Sequence, residues 1–226
     1  VFALDPDKKK IAALRRNETT FKEYKLEEEL VKYSDRIRFT SEFRDAVYKA
    51  NMLVICNEVF ELEPGKCDLT GFYVTLKECC RQIQNDVIVV IRSTVPVGTN
   101  REVKDFMMNL TNHNYKIDVV SNPEFISQGT AIKDMLQPSR IVVGLTTRNA
   151  QLAMKELYAN FDCPLLIVSP ESAELIKYAS NAYLAVKVSY INEIADLCES
   201  VKADIQEVSY GIGLDPRIGQ KYLSSG

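Results

Sequence analysis

Val87-Ile88-Val89-Val90-Ile91-Arg92-Ser93-Thr94-Val95-Pro96-Val97-Gly98-Thr99 is the stretch that decides how this chain folds. It opens as an unbroken run of β-branched residues, too short for a helix, which is the pattern of a strand buried on both faces of a sheet. Two hydroxyl residues end the run, a Pro/Gly turn follows, and residues 101–110 read as a helix. A second apolar run at 117–120 completes a strand–helix–strand unit. Strands joined through a helix run parallel.

The same alternation extends outward in both directions. Strands are predicted at residues 36–39, 52–56, 87–92, 140–143 and 165–168, with helices at 41–50, 68–83 and 149–160. The chain opens on Val1-Phe2-Ala3-Leu4-Asp5, read as the end of a buried parallel strand closed by an acid. Pro6-Asp7 then leads into a helical run of lysines. Strands alternating with helices imply an α/β fold with a doubly wound, parallel, Rossmann-like sheet.

From Ser169 the texture changes. Ser169-Pro170-Glu171 is a helix start, with a serine cap, proline at the first helical position and then an acid. Neither glycine nor proline interrupts residues 171–203, which gives about 50 Å of helix at 1.5 Å per residue. Its apolar residues (Leu175, Ile176, Tyr183, Leu184, Val186, Val188, Ile191, Ile194, Leu197) are spread around the barrel. Such a helix is expected to be covered on most sides, bridging two domains and packing against a second copy. The expected organisation is a Rossmann-like domain at 1–168, a connecting and dimerisation helix at 169–203, and the start of a helical central domain at 204–226.

Composition narrows the function classes. Hydrophobic residues make up 46% and charged residues 26%, and the net charge of −3 gives no electrostatic case for binding nucleic acid or an anionic membrane. No apolar run is long enough to span a bilayer. The basic run Lys8, Lys9, Lys10, Arg15, Arg16 reads as one solvated helix face. Six cysteines without a CxxC pair, and the single His113, offer no zinc ligand set, so no metal is expected. Reduced thiols and a cytoplasmic location are the simplest account.

Ligands of doubly wound sheets bind beyond the carboxyl ends of the strands, which selects the candidate residues. Asp5 stands where an acid holds the adenine-side ribose of NAD, although a strand-end aspartate can also serve as a turn or cap residue. Thr94 can hold a water or substrate hydroxyl, or cap its turn, and spacing alone favours the cap. Glu124, between Pro123 and Phe125, can act as a base or be an exposed loop acid. Glu174, Lys177 and Asn181 share one helical stripe. Lys177 and Asn181 can donate together to a developing oxyanion. Equally, Glu174 and Lys177 can form a salt bridge on a solvated edge.

Several strings, in order, resemble the UDP-glucose/GDP-mannose dehydrogenase family: Arg92-Ser93-Thr94-Val95-Pro96-Val97-Gly98-Thr99, Asn122-Pro123-Glu124-Phe125, Gln137-Pro138-Ser139-Arg140-Ile141-Val142-Val143-Gly144, Glu174-Leu175-Ile176-Lys177-Tyr178-Ala179-Ser180-Asn181, and Asn192-Glu193-Ile194. Gly213-Leu214-Asp215-Pro216-Arg217-Ile218-Gly219, followed by Lys221-Tyr222-Leu223, is similar to the UDP-glucose branch. The resemblance implies NAD as cofactor, UDP-glucose as substrate and a homo-oligomer, with two successive oxidations of the sugar's C6 alcohol through a cysteine thioester. It implies that Asp5, with Lys10 nearby, holds the NAD ribose, that Thr94 positions a water beside the cofactor, and that Lys177 with Asn181 stabilises oxyanions. Glu124 would orient or activate water in the hydrolytic half. Phe125, Arg217 and Tyr222 would join Glu124, Lys177 and Asn181 on the sugar nucleotide, Arg217 from a partner subunit.

Departures from the family pattern accompany the likeness. The glycine-rich phosphate loop is expected before Val1, and the nucleophilic cysteine with its aspartate partner after Gly226. Asn57-Glu58-Val59-Phe60 stands where a Gly-Thr-Pro-like turn is expected beside the cofactor, and Gln128 stands in place of a second glutamate. A catalytically impaired sugar-nucleotide-binding relative is therefore one alternative, and a 6-phosphogluconate-dehydrogenase-like hydride enzyme is another. Asn122-Pro123-Glu124-Phe125 and Asp215-Pro216-Arg217-Ile218-Gly219 argue against the latter.

Overall fold

The computed structural model describes residues 1–63 and 65–224, which form two compact units, Val1–Leu175 and Ile176–Gly226. In the first unit the strands are β1 (Phe2–Leu4), β2 (Arg38–Thr40), β3 (Met52–Ile55), β4 (Phe60–Glu63), β5 (Lys66–Asp68), β6 (Val87–Ile91), β7 (Ile117–Ser121), β8 (Ile141–Gly144) and β9 (Leu165–Val168). The helices are α1 (Lys8–Leu14), α2 (Leu26–Lys32), α3 (Phe43–Val47), α4 (Thr70–Cys80), α5 (Thr99–Leu110), α6 (Ala131–Leu136), α7 (Arg148–Leu157) and the first turn of α8 (Pro170–Val201).

The main sheet has the order β3-β6-β7-β8-β9, and β1 pairs with β2 in a separate two-stranded parallel sheet. The expectation of an all-parallel sheet needs one correction. β7 and β8 meet antiparallel, through the single pair Ser121 and Gly144, while the other neighbours in the main sheet are parallel. Chain length does not force this, since residues 122–140 exceed the dozen or so that a parallel crossover needs, but the helix described among them is only the six-residue α6. The alternation of apolar runs cannot register this, because a buried strand reads the same in either direction.

β6 and β7 are buried at all five positions each, as expected for strands covered on both faces. Val87, Val89 and Ile91 join one core with Phe72 and Leu76 of α4 and with Val103 and Met107 of α5. Ile88 and Val90 point the other way, into a second core with Val120, Ile141, Val143 and Met154 of α7. Period-two alternation along a single strand thus feeds two helical layers, which is what doubly wound means in physical terms.

One hairpin and two helices lie outside the elements expected from the sequence. The β4–β5 hairpin escapes notice because all four residues of β4 are exposed and no buried face marks it. α2 begins without a side-chain cap, on Lys25 in the left-handed conformation (φ 65°), so the usual start signal is missing. α6 is only six residues long, below the length at which helical periodicity is legible.

The second unit is helical as described, consisting of the rest of α8 followed by α9 (Ile205–Gly213), which Asp204 caps through the Gln206 amide (2.7 Å). Ile191, Cys198 and Leu223 are buried, but Tyr183, Val186, Tyr190 and Val201 on α8 remain exposed within the chain. Among the described residues no helix is long and apolar enough to cross a membrane.

Gly144, where β8 approaches the start of α8, has no room for a side chain. A Cβ there would come within 2.6 Å of the Ala173 Cβ and 2.7 Å of the Pro170 Cα. Gly144→Ala is therefore expected to lower the unfolding free energy by about 1–3 kcal/mol. The measurement is the denaturant midpoint at unchanged slope, and an unmoved midpoint would show that the seat of α8 on β8 is looser than this packing requires.

Candidate functional site

Asp5, Thr94 and Glu124 stand just beyond the carboxyl ends of β1, β6 and β7. Beyond β6 the backbone stays in the sheet for one more step, with the Arg92 N–H donating to the Ile55 carbonyl (2.8 Å). It then turns through Ser93 to Gly98 into α5. Ser93 Oγ donates to the Asn57 carbonyl (2.6 Å), and Thr99 Oγ1 to the Pro96 carbonyl (2.7 Å). Thr94, expected as a turn cap on spacing, makes no side-chain hydrogen bond among the described residues. Its neighbours do that work.

Gly98 (φ 100°) opens α5 and has no side chain to cap it. The cap comes from far along the chain. The Gly98 N–H donates to Oε2 of Glu174 at 2.7 Å and the Asn100 N–H to Oε1 at 2.9 Å. Ser121 Oγ, the last residue of β7, donates to Oε1 at 3.1 Å and in turn accepts from Asn100 Nδ2 at 3.0 Å. A carboxylate at a helix N-terminus meets unpaired amides and the positive end of the dipole. Glu174 is only 3% exposed, and Lys177 is buried as well, so the solvated-edge salt bridge does not describe this pair. Burial pushes the Glu174 carboxyl above its ordinary range. The Gly98 and Asn100 amides and Ser121 oppose the rise, and the charge of Glu171 adds to it.

Asn122, fully buried, fixes the second loop. Its Nδ2 donates to the Val142 carbonyl (2.8 Å), its N–H to the Ile91 carbonyl (2.8 Å), and its Oδ1 accepts from Arg92 (3.1 Å) and from the Tyr158 hydroxyl. Pro123 follows, then Glu124 and Phe125, both partly buried. Glu124 Oε2 accepts from the Ile126 amide (2.7 Å), and the Arg140 guanidinium lies 4.0 Å from the centre of the Phe125 ring. Thr94 and Glu124 thus stand on loops at the carboxyl ends of neighbouring parallel strands.

At the end of β1, Asp5 and Lys10 are brought together at 2.6 Å, and the Asp7 amide donates to the other Asp5 oxygen (2.9 Å). Burial alone would raise the Asp5 carboxyl, but Lys10 and the Asp7 amide outweigh it and hold it below its usual range. A charged strand-end carboxylate with unused lone pairs suits the vicinal hydroxyls of a cofactor ribose.

Lys177 and Asn181 belong to α8 in the second unit, where Asn181 is exposed. Arg217 is engaged with Asp215 of the same unit (Nη2 to Oδ2 2.6 Å), and Tyr222 is exposed with φ 63°. Of the residues that organise these loops, Glu174 was noted for a different role. Asn100, Ser121, Asn122 and Tyr158 carry no local signal for these roles, because their partners lie 20 to 74 residues away. A cavity of about 600 Å³ opens at the opposite, amino edge of the sheet, among Asn51, Asp86, Lys116, Asn149 and Glu156, and contains none of the candidates.

A doubly wound sheet with loops at its carboxyl edge, in a unit whose two-stranded parallel sheet ends in an acid, is an architecture that binds nucleotide cofactors. Residues 1–162 match the UDP-glucose/GDP-mannose dehydrogenase family, NAD binding domain, and residues 171–226 match that family's central domain. The chain belongs to the UDP-glucose/GDP-mannose dehydrogenase family, a family of NAD-dependent sugar-nucleotide dehydrogenases, and NAD is the cofactor of its first domain. It is 37% identical over 228 residues to the UDP-glucose 6-dehydrogenase TuaD of Bacillus subtilis, covering 100% of this chain and 50% of that protein. Its fold is similar to that of a UDP-glucose dehydrogenase from the archaeon Pyrobaculum islandicum, with TM-score 0.95, 32% identity, and 100% of this chain and 54% of that one covered. It is also similar to a GDP-mannose dehydrogenase of Pseudomonas aeruginosa, with TM-score 0.91, 28% identity, and 100% and 54% covered. The chain spans from 26% to 53% of the lengths of the first curated relatives it matches.

Removing the Glu174 carboxylate orphans two amides and a hydroxyl, so Glu174→Ala is expected to cost on the order of 2–4 kcal/mol of stability. The pH dependence of Glu174→Gln tests the balance of forces. A carboxyl whose folded value is raised contributes stability that is fully present below the ordinary glutamate range of about 4.3 and is lost as pH rises through the folded value. The unfolding free energy of the unmodified protein minus that of Glu174→Gln should therefore shrink as pH is raised from about 4. A gap that widens instead would mean that the three donors outweigh burial.

Proposed function

We propose that the protein of which these residues form part oxidises the C6 alcohol of UDP-glucose to the carboxylate of UDP-glucuronate, using NAD twice. The observation that carries this reading is the placement of Thr94 and Glu124 on loops at the carboxyl ends of neighbouring strands, with the carboxyl of the β1 acid Asp5 held below its usual range by Lys10 and the Asp7 amide. The likeness to proteins named UDP-glucose 6-dehydrogenase, and the string Asp215-Pro216-Arg217-Ile218-Gly219, favour glucose over other sugars.

In this reading Asp5 accepts the ribose hydroxyls of NAD, and Lys10 keeps that carboxylate charged. The cofactor, when bound, accepts a hydride in each oxidation. Thr94 offers a hydroxyl with no partner among the described residues, suited to holding a water or the substrate alcohol. Lys177 and Asn181 donate to the oxyanion that develops at C6. Glu124 orients or activates water for hydrolysis of a thioester on a cysteine outside these 226 residues. Phe125, Arg217 and Tyr222, with Glu124, Lys177 and Asn181, hold the sugar nucleotide. The reading also places the glycine-rich phosphate loop ahead of Val1, the protein in the cytoplasm, where the six free thiols stay reduced, and two copies paired along α8, whose Val186 and Tyr190 are exposed within one chain.

One alternative has support in particular residues. Asn57, in place of the expected glycine turn, is tied through Nδ2 to Thr75 (3.0 Å) and through its carbonyl to Ser93, and Gln128 is neutral. These features favour a catalytically impaired relative that still binds a sugar nucleotide.

The full-length protein should form two NADH per UDP-glucose, with UDP-glucose preferred over GDP-mannose and UDP-N-acetylmannosamine. Lys177→Ala should lower kcat on the order of 10²-fold or more. Binding of UDP-glucose without NADH formation would establish the impaired relative instead, and preferential oxidation of another sugar nucleotide would reassign the substrate. Sedimentation showing a monomer at micromolar concentration would overturn the pairing along α8.

A further inference from the structure

The loop that follows Glu124 and Phe125 is held from a distance. The Gly129 N–H donates to Oε2 of Glu23 at 3.0 Å, and the Ala131 N–H donates to its Oε1 at 3.1 Å. One carboxylate therefore bridges two amides of the turn into α6, from 106 and 108 residues earlier in the chain. The turn also has bonds of its own. Asp134 Oδ2 accepts from the Ser127 amide (3.0 Å) and from Thr130 Oγ1 (2.8 Å), and the Thr130 amide donates to the Ser127 carbonyl (3.1 Å). Those bonds shape the turn without tying it to the rest of the unit. Glu23 ties it.

The segment that delivers Glu23, between α1 and α2, is itself anchored. The Arg15 guanidinium donates twice to the Phe39 carbonyl beside β1 (2.9 and 3.0 Å), and Thr19 Oγ1 donates to Glu27 (3.0 Å). Two residues after Glu23, Lys25 takes the left-handed conformation that non-glycine residues adopt at a cost, so the chain bends sharply where the carboxylate is presented. A carboxylate is the side chain suited to this task. It offers two charged acceptors on one short stem, so ordering a single side chain secures two hydrogen bonds. Glutamine offers one acceptor and would set its NH₂ against the second amide.

We propose that Glu23 is a positioning residue for the sugar-nucleotide site. Its carboxylate clamps the Gly129–Ala131 turn and so holds the loop bearing Glu124 and Phe125 in its binding shape. This rests on the assignment of that loop to UDP-glucose. The clamp reaches the substrate loop and not the NAD-binding acid, so the two Michaelis constants should part company when it is removed.

The experiment uses the full-length protein with Glu23→Gln and Glu23→Ala, the first preserving volume should the second fail to fold. Amide hydrogen exchange should quicken about tenfold at both Gly129 and Ala131 in Glu23→Ala and at one of the two in Glu23→Gln, roughly the effect of losing one hydrogen bond to a charged group. The KM for UDP-glucose should rise by a similar factor, about tenfold, while the KM for NAD stays within about twofold. Unchanged exchange at the two amides would overturn the clamp. Faster exchange with both constants moved together, or with neither moved, would overturn its role in positioning. If the unmodified protein does not oxidise UDP-glucose, the functional reading fails separately, and exchange together with the dissociation constant for UDP-glucose still decides whether the clamp shapes the loop.

Discussion

A carboxylate withdrawn almost completely from water has to be surrounded by donors, and the buried Glu174 finds three of them on two other segments. The arrangement at the carboxyl edge of β6 and β7 depends on this group. It closes the N-terminus of α5, where Gly98 cannot, and it pins the last residue of β7 through Ser121. The turn carrying Thr94 is therefore fixed at one end by the sheet and at the other by Glu174. Glu124 follows Ser121 by three residues, and Lys177 follows Glu174 by three along α8. The same carboxylate thus stands at the root of the segments that carry Thr94, Glu124 and Lys177.

Rigidity of this kind is inexpensive in the first unit because the sheet beneath it is covered on both faces. β6 and β7 have no exposed residue, and their side chains alternate into separate cores, so neither strand can slip by one position without exchanging those cores. The antiparallel contact between β7 and β8 at Ser121 and Gly144 sits where Ser121 meets Glu174 and where Gly144 admits the backbone of Ser169 and Pro170. Glycine is required there by close approach and not by backbone conformation. Asn122 then links the end of β7 to β8 and to Arg92, so the loop that leads to Glu124 leaves the sheet from a point held on three sides.

Much of the fold was legible in the residues alone. Unbroken apolar runs marked β3, β6, β8 and β9, a run interrupted by Asp118 marked β7, and Ser169-Pro170-Glu171 announced α8, whose start Ser169 does cap through the Ser172 amide (3.2 Å). Each of these signals is local, carried by a period of two or 3.6 residues or by a cap within one turn. The exposed β4–β5 hairpin, the uncapped α2 and the short α6 lack such signals.

The sequence by itself determined the alternating elements, the strand-end positions of Asp5, Thr94 and Glu124, and the likeness that names the cofactor. The tertiary structure alone decided that Glu174 is a helix cap rather than half of a solvated pair, that Thr94 does not cap its turn, that β8 meets β7 antiparallel, and that Glu23 holds a turn more than a hundred residues away. The physical reason is one of range. Periodicity and capping are written within a few neighbouring residues. A hydrogen bond between a carboxylate and an amide 74 or 108 residues distant is chosen only when burial and topology bring them together.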